Sequence, residues 1–400
     1  MGPTAARHAK LYTEMLLTTC AACAAPLPHI AKQCSRCKTR YCGPACQKQH
    51  WDAAGGHKDI CRKIKKGGGA EQYHADKKYK EAVAVAVEKC RGRHEGQKCY
   101  ICLEAVHPHT GEGLVRGCAC GDRDGVSSPE LGVAHVSCLA RQAKILVAEA
   151  KENNLYDKMD ERWERWHTCG LCNQDYHGVV RCALGWACWK TYVGRPETDM
   201  DRIDAMTQLG NGLSEEAVSR YPEALAVYEA NLAMNRRFGR SEHSNAILAV
   251  QTNIAYTLSL LDRDEEALEI ERTIYRKQKA SYGIENVGTT KAALNLSVTL
   301  GNLNFFGEAR ALAQKTIPVA QRTFGPDHDL TLCLRRNYIQ AVYDDPKSSL
   351  ADLRRAETTL KDVYRRARRV FGTSHPETAI CETMMSKLNE TLAERNSGGA

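Results

Sequence analysis

From residue 201 onward, apolar residues recur at steps of three and four, the period of a helix with one buried face. A longer beat runs over this one. Asn211, Asn253, Asn295 and Asn337 stand 42 residues apart. Ala224, Ala267, Ala309 and Ala356 each precede an aromatic–glycine pair by 14 or 15 residues, and the pairs are Phe238-Gly239, Tyr282-Gly283, Phe324-Gly325 and Phe371-Gly372. Two helical stretches per unit of this length predict a helix-hairpin solenoid. The small residues let paired helices approach, and glycine closes the second helix in a left-handed cap. The last unit carries extra residues around "DDPKSS" (344–349), and a final helix near 376–395 is expected to cap the array.

The N-terminal half lacks this beat. Residues 71–90 are helical in composition, although "AVAVAV" also fits the alternation of a strand; helix is the expectation. Residues 140–166 predict one long helix, or a helix and a turn. "RCALGWACWKTY" (181–192) predicts one amphipathic helix, with Cys182 and Cys188 as small apolar residues. "KIKKGGGAEQ" (63–72) is basic and glycine-rich and reads as a flexible boundary. No apolar run approaches the ~18 residues of a membrane span. "MLLTTCAACAAP" resembles a signal peptide only loosely, since Glu14 interrupts it. Gly2 lacks the Ser/Thr at position 6 of a myristoylation motif.

Charge and cysteine sharpen this picture. Residues 1–98 hold 19 Lys+Arg against 8 Asp+Glu, residues 99–200 hold 11 against 14, and the remainder is balanced at 26 each. A basic first third suits a solvated face, an acidic protein tail or nucleic acid. Of the nineteen cysteines, fifteen lie between Cys20 and Cys172, mostly as C-x2-C pairs with histidines among them. That arrangement points to zinc in a reducing compartment rather than to disulfides.

The first set of candidate ligands is Cys20, Cys23, Cys34, Cys37, Cys42, Cys46, His57 and Cys61. Eight ligands suffice for two closed tetrahedral sites, and so short a segment needs the metal to fold. His50, in C-x3-H spacing after Cys46, stays open as an alternative to His57. The ligand order, the C-x4-C-x3-C middle, Tyr41, Gln47 and Trp51 resemble the MYND zinc finger. The resemblance implies interleaved pairs: Cys20, Cys23, Cys42 and Cys46 on one zinc, and Cys34, Cys37, His57 and Cys61 on another. It further implies that Gln47 and Trp51 contact proline-containing peptides. Ten residues separate Cys46 from His57 where the family has nearer seven, so "DAAGG" (52–56) reads as a small flexible insertion.

A second set comprises Cys99, Cys102, Cys118, Cys120, His135, Cys138, Cys169 and Cys172. Cys90 has no spacing partner, and His107, His109, His167 and His177 read as surface histidines. "CYICLE", "GCAC", "HVSCL" and "CGLCNQDYHG" resemble the RING-variant (RING-CH) finger. That resemblance implies Cys99, Cys102, His135 and Cys138 on a third zinc, and Cys118, Cys120, Cys169 and Cys172 on a fourth. It also implies a ubiquitin-conjugating enzyme as partner, touched by Ile101, and hence ubiquitin ligase activity. The long gaps after Cys120 and Cys138, and the missing tryptophan near 140–143, depart from the family.

The repeats, such as "NIAYTLSLLDRDEEALEIERTIYRKQKASYG" (253–283), resemble kinesin-light-chain-type tetratricopeptide repeats. The resemblance implies that Asn211, Asn253, Asn295 and Asn337 line a concave groove that clamps a peptide backbone. The expected architecture is mainly α: two small zinc-stabilised α+β fingers followed by an α-helical tetratricopeptide-repeat solenoid. Expected boundaries are 1–19 tail, 20–61 MYND-type finger, 62–98 linker and helix, 99–193 second finger with helical extension, and 201–395 four repeats with a cap. No phosphate-binding loop, nucleophile elbow, H-E-x-x-H helix or SET signature is present, so no catalytic residue is expected. The sequence therefore predicts an intracellular protein, cytoplasmic or nuclear, holding about four zinc ions. It would act as an interaction scaffold, with ubiquitin ligase as the alternative and nucleic-acid regulator as a weaker one.

Overall fold

The computed structural model describes residues 20–23, 25, 27, 31–123 and 131–397. The tail 1–19, with Gly2 and the start of the signal-like run, lies outside the described residues. Apart from one antiparallel ribbon, β1 (Lys32–Gln33) with β2 (Arg40–Tyr41), the named elements are helices. No helix among the described residues is long and apolar enough to cross a membrane. The chain forms two compact units.

The first unit comprises Met1–Gly117, Ala134–His167 and His177–Met234. After the ribbon come α1 (Pro44–Asp52), α2 (His57–Lys66) and α3 (Ala70–Cys90). Then follow α4 (Val136–Glu152), a 3-10 turn (Tyr156–Lys158), α5 (Met159–Glu164), α6 (Gly178–Tyr192), α7 (Met200–Leu213) and α8 (Tyr221–Arg237). The buried cluster under the ribbon is Cys20, Cys34, Cys37, Tyr41, Cys61, Ile64 and Ala70. Four of these seven are cysteines, so apolar burial alone cannot hold this segment together.

The glycines after α2 form a closed turn rather than a loose tether. Gly67 N–H donates to Lys63 O, Gly69 N–H to Ile64 O, and Ala70 N–H to Cys37 O at 2.8 Å. Helix α3 thus starts on the finger's own backbone. Arg202 of α7 then grips Glu71 through both carboxylate oxygens at 3.0 and 3.1 Å, and Gln72 Nε2 donates to Lys190 O of α6. "AVAVAV" is helical because Val83, Ala86 and Cys90 fall on one buried face of α3.

Helix α6 differs from the amphipathic helix the sequence predicts. Cys182, Leu184, Trp186, Cys188, Trp189 and Tyr192 are all buried, because α3, α4 and α7 pack around it. The α6 and α7 backbones touch where both lack a side chain. A Cβ on Gly185 would lie 2.7 Å from Gln208 O, and one on Gly212 would lie 2.8 Å from Cys182 Cα.

The second unit comprises Cys118–Val133, Thr168–Tyr176 and Asn235–Ala400. Its helices are α9 (Asn245–Ser259), α10 (Asp264–Tyr282), α11 (Val287–Asn302), α12 (Phe306–Thr323), α13 (Asp329–Tyr343), α14 (Leu350–Phe371) and α15 (Pro376–Ser397). They pair as successive hairpins, and the first helices α9, α11 and α13 also pack side by side. Each stretch stops and starts for a local reason. Asp262 and Asn304, 42 residues apart, take φ of +58° and +62° at the turn between paired helices. Ser349 and Asp352 form a capping box on α14. Ala267, Ala309 and Ala356 are buried where the hairpin helices meet.

A buried carboxyl sits inside this array: Glu271 of α10 is 2% exposed, and Thr299 stands near it without full hydrogen-bond geometry. Burial pushes its carboxyl up to about 7, against the pull of Thr299 and with a further push from Asp264. The folded state keeps this proton to near neutrality, while the unfolded chain releases it near 4.5. Stability therefore falls as pH rises through that window and stays low above it. Between pH 6 and pH 8.5 the wild type should lose about 1 kcal/mol more unfolding free energy than Glu271→Gln. Equal losses in denaturant titrations at the two pH values would contradict this account.

Candidate metal centres

Four groups of side chains each bring one ligand atom per residue to within 4.8 Å of the others. In the first unit they are Cys20, Cys23, Cys42 and Cys46; Cys34, Cys37, His57 and Cys61; and Cys99, Cys102, His135 and Cys138. In the second unit the group is Cys118, Cys120, Cys169 and Cys172. A tetrahedral zinc with ~2.3 Å Zn–S bonds needs sulfurs about 3.8 Å apart. Sulfur pairs stand at 3.5 Å (Cys23–Cys42), 3.8 Å (Cys23–Cys46), 3.9 Å (Cys34–Cys61) and 3.6 Å (Cys120–Cys169). The spacing and the all-Cys/His donor sets fit structural zinc, with no carboxylate and no spare position for a catalytic water.

The backbone builds these positions by one repeated device. In the second, third and fourth groups the N–H of the first cysteine of C-x2-C takes the carbonyl five residues on: Cys34 with Thr39, Cys99 with Glu104, and Cys169 with Gln174. The carbonyl of that cysteine accepts from the N–H four residues on: Lys38, Leu103 and Asn173. Those three residues all turn left-handed, at φ +67°, +63° and +55°. Cys20 N–H likewise takes Ala25 O at 2.8 Å. Helix starts supply the second pairs of the second and third groups, because His57 opens α2 and His135 caps α4, which carries Cys138 in its first turn; Cys118 and Cys120 come from a bend outside the helices.

The two candidate histidines of the first ligand set, His50 and His57, occupy different places. His57 points Nε2 at Cys37 Sγ, 3.3 Å away, and burial, with His50 adding to the effect, holds it neutral as a ligand must be. His50 points Nδ1 at the Tyr41 hydroxyl, 3.1 Å away. The three extra residues before His57 make a tight turn rather than a loose insertion. A Cβ on Gly56 would lie 2.2 Å from His50 O, so only glycine closes it. In the third group His135 offers Nδ1 to Cys102, 3.4 Å away, and its Nε2 lies 3.4 Å from Ala105 O. That second contact orients a ligating imidazole. His107 instead accepts from Thr110 N–H at 3.2 Å.

The electrostatics of the sulfurs fits a cation at their centre. Cys169 is held far below the usual thiol range because Cys118, Cys120 and Cys172 donate to it, and Cys118 is pushed far up by the same contacts. One thiolate can be accommodated this way, but four cannot without a divalent ion. In the first group burial pushes Cys20 up, yet the N–H groups of Cys23, Cys42 and Ala22 outweigh it and bring it to about 6.

The ligand pattern alone did not reveal two residues of the fourth group's surroundings. Gly132, at φ +78°, closes over the C-x-C pair: a Cβ there would lie 2.5 Å from Cys120 Cβ and 2.8 Å from Cys118 Sγ. Asp122, two residues past Cys120, accepts from Thr373 Oγ1 and Ser374 N–H, both at 2.7 Å, at the turn between α14 and α15. A glycine shortly before H-x2-C was the available signal for the first; nothing local signals the second. Gly132→Ala should release one equivalent of metal per chain by mass spectrometry of the holoprotein, while the other centres stay loaded. Unchanged metal content would refute that role.

The residues expected to touch partners are scattered. Gln47 and Trp51 are half-buried on α1, with the Trp51 ring 5.8 Å from that of His57. Ile101 is half-buried, while Leu103 beside it is 67% exposed. Asn211 accepts from the Tyr228 hydroxyl at 2.6 Å. Asn253 and Asn295 are half-buried. Asn337 is buried with its Nδ2 unpaired, on the wall of a cleft of about 330 Å³ that Ser297, Gln340 and Asp344 also line.

Comparison with known proteins bears on two of these segments. Residues 20–61 match the MYND finger family, and residues 289–329 match a tetratricopeptide repeat family. No curated protein matches the chain. Similar solved structures include two forms of a Podosopora anserina kinesin light chain with nearly identical TPR-like repeats. Each is 16% identical and covers 49% of this chain and 89% of its own, with TM-scores of 0.40 and 0.39. BtubC from P. vanneervenii is 13% identical over 65% of this chain and 92% of its own, with a TM-score of 0.31. The chain thus carries a MYND finger followed by a helical array of tetratricopeptide type. Both are modules through which proteins bind other proteins.

Proposed function

We propose that this chain is a zinc-stabilised scaffold that holds four zinc ions and binds peptides at two places, the MYND finger and the repeat groove. The observation that carries this reading is the closure of all four donor sets. Metals held by four protein ligands build shape and do no chemistry, which leaves surfaces as the functional parts. The working division is 20–61 for the finger, 62–98 for the connecting turn and helix, 99–193 for the second metal-bound region and 201–395 for the repeats. The groove reading rests on Asn253 and Asn295, half-buried in equivalent positions of α9 and α11. Replacing both with Ala should abolish retention of peptides captured by the wild-type array and leave thermal stability nearly unchanged. Equal capture by the double variant would sink the groove role.

A second reading has its own observation. Leu103 and Val106, just past the first C-x2-C of the third centre, are 67% and 58% exposed. An apolar tip beside a RING-variant-like zinc site suits docking of a ubiquitin-conjugating enzyme, with Ile101 at its edge. On this reading the chain is a ubiquitin ligase whose repeats recruit substrate. A reconstituted reaction should then show self-ubiquitination that Cys99→Ser abolishes and Leu103→Asp weakens at least tenfold. Silence across a panel of conjugating enzymes would remove the reading.

A further inference from the structure

Between Lys32 and Lys66 the chain carries ten Lys and Arg and only Asp52 and Asp59 as acids. This excess of eight equals the formal charge of the whole 400-residue protein. Metal does not cancel it. Two zinc ions against the seven thiolates of the finger still leave about five positive charges on the segment.

The cations are concentrated on α2. That helix turns His57, Cys61 and Ile64 inward. Its outer face is then left to Lys58, Arg62, Lys63, Lys65 and Lys66, all exposed, with only Asp59 among them. Among the described residues none of these five forms an ion pair. The contrast with α14 is direct. There Arg355 pairs with Asp352 at 2.6 Å, Lys361 with Glu357 at 2.5 Å, and Arg365 with Asp362 at 2.6 Å. On α2, Lys58–Arg62 and Arg62–Lys66 are like charges one turn apart, an arrangement that weakens a helix. The helix dipole favours the lysines of the last turn but opposes Lys58 in the first.

The place of this face suggests its occupant. His57, the first residue of α2, has its ring against those of Trp51 and His50, at 5.8 and 5.5 Å. Lys48 is exposed next to Gln47 on α1. Lys58 directly follows His57 in the chain as Lys48 follows Gln47, so exposed cations border this ring cluster on both helices. The one ring in the helix HKDICRKIKK, that of His57, is fully buried, which leaves Arg62 as its single exposed group on which a base could stack. We infer that the finger selects peptides whose proline-containing core is flanked by a run of acidic or phosphorylated residues, which the α2 face holds. The inference rests on the reading of Gln47 and Trp51 as a peptide face.

The test uses the full zinc-loaded chain and a randomised dodecapeptide library with one fixed proline. Peptides retained by wild type and lost with Trp51→Ala belong to the finger, and these should be enriched in Asp and Glu on one side of the proline. A variant with Lys58→Glu, Arg62→Glu and Lys66→Glu, checked for unchanged zinc content, should bind them roughly tenfold more weakly, as expected for three exposed ion pairs. It should also select Lys and Arg instead. Phosphoserine in place of Glu should preserve binding to wild type. If the finger's peptides show no acidic bias, the inference falls and the peptide face stands. If Trp51→Ala loses no peptides, both fall. If a duplex DNA 20-mer displaces every selected peptide at lower concentration, the face is a nucleic-acid site and the inference is overturned.

Discussion

Like-charged sulfur packed at near-contact distance is the constraint on which the first half of this protein depends. Fourteen cysteines and two histidines meet in four groups. In the fourth group the contacts from Cys118, Cys120 and Cys172 pull the Cys169 thiol down and push that of Cys118 up, so the four sulfurs resist ionising together. A divalent ion would let every ligand ionise, and its binding to those ligands would supply the folding free energy that a core of Tyr41, Ile64 and Ala70 could not. The turns that deliver the ligands are strained accordingly. Lys38, Leu103 and Asn173 sit in a backbone region that non-glycine residues rarely occupy, because the cysteine beside each must point at a shared centre.

The repeats are held by the opposite economy of means. There each hairpin has its own cap, from Ser244, Asn286 and His328, and one small residue at the helix crossing, and two of the three turn at a left-handed Asp262 or Asn304. The exceptions are polar groups on first helices. Asn302 reaches back across a repeat to Ser259 Oγ and Asp264 Oδ1, while Asn337 leaves Nδ2 bare in its cleft. Residues of similar chemistry thus do different work in neighbouring repeats: one fastens, another is left available.

Much of this was legible in the chain. A 42-residue beat and the 14- or 15-residue step from Ala to aromatic–glycine mark the hairpins, because each repeat must solve the same packing problem at the same positions. Ligand spacing likewise brought out all sixteen residues that the structure gathers. What escaped is non-local. The three glycines after Lys66 look like slack until Ala70 is seen bonded to Cys37. Helix α6 is expected to be one-sided, yet its residues from Val180 to Trp189 are all buried, because three helices from distant parts of the chain enclose it. The bond from Asp122 to residues 373 and 374 follows from no local rule, since a short acidic loop ordinarily stays in water.

That last bond bears on the order in which the molecule can be assembled. Thr373 is 251 residues beyond Asp122. A ribosome adding roughly 5–20 residues per second exposes the Cys118 loop, and then Cys169 and Cys172, many seconds before their final neighbour exists. The fourth ligand set can close on its own schedule, whereas the seat of Asp122 is taken only when the last helical turn arrives. This contact accordingly forms later than any local contact of the Cys118 loop, because 251 residues separate its two sides.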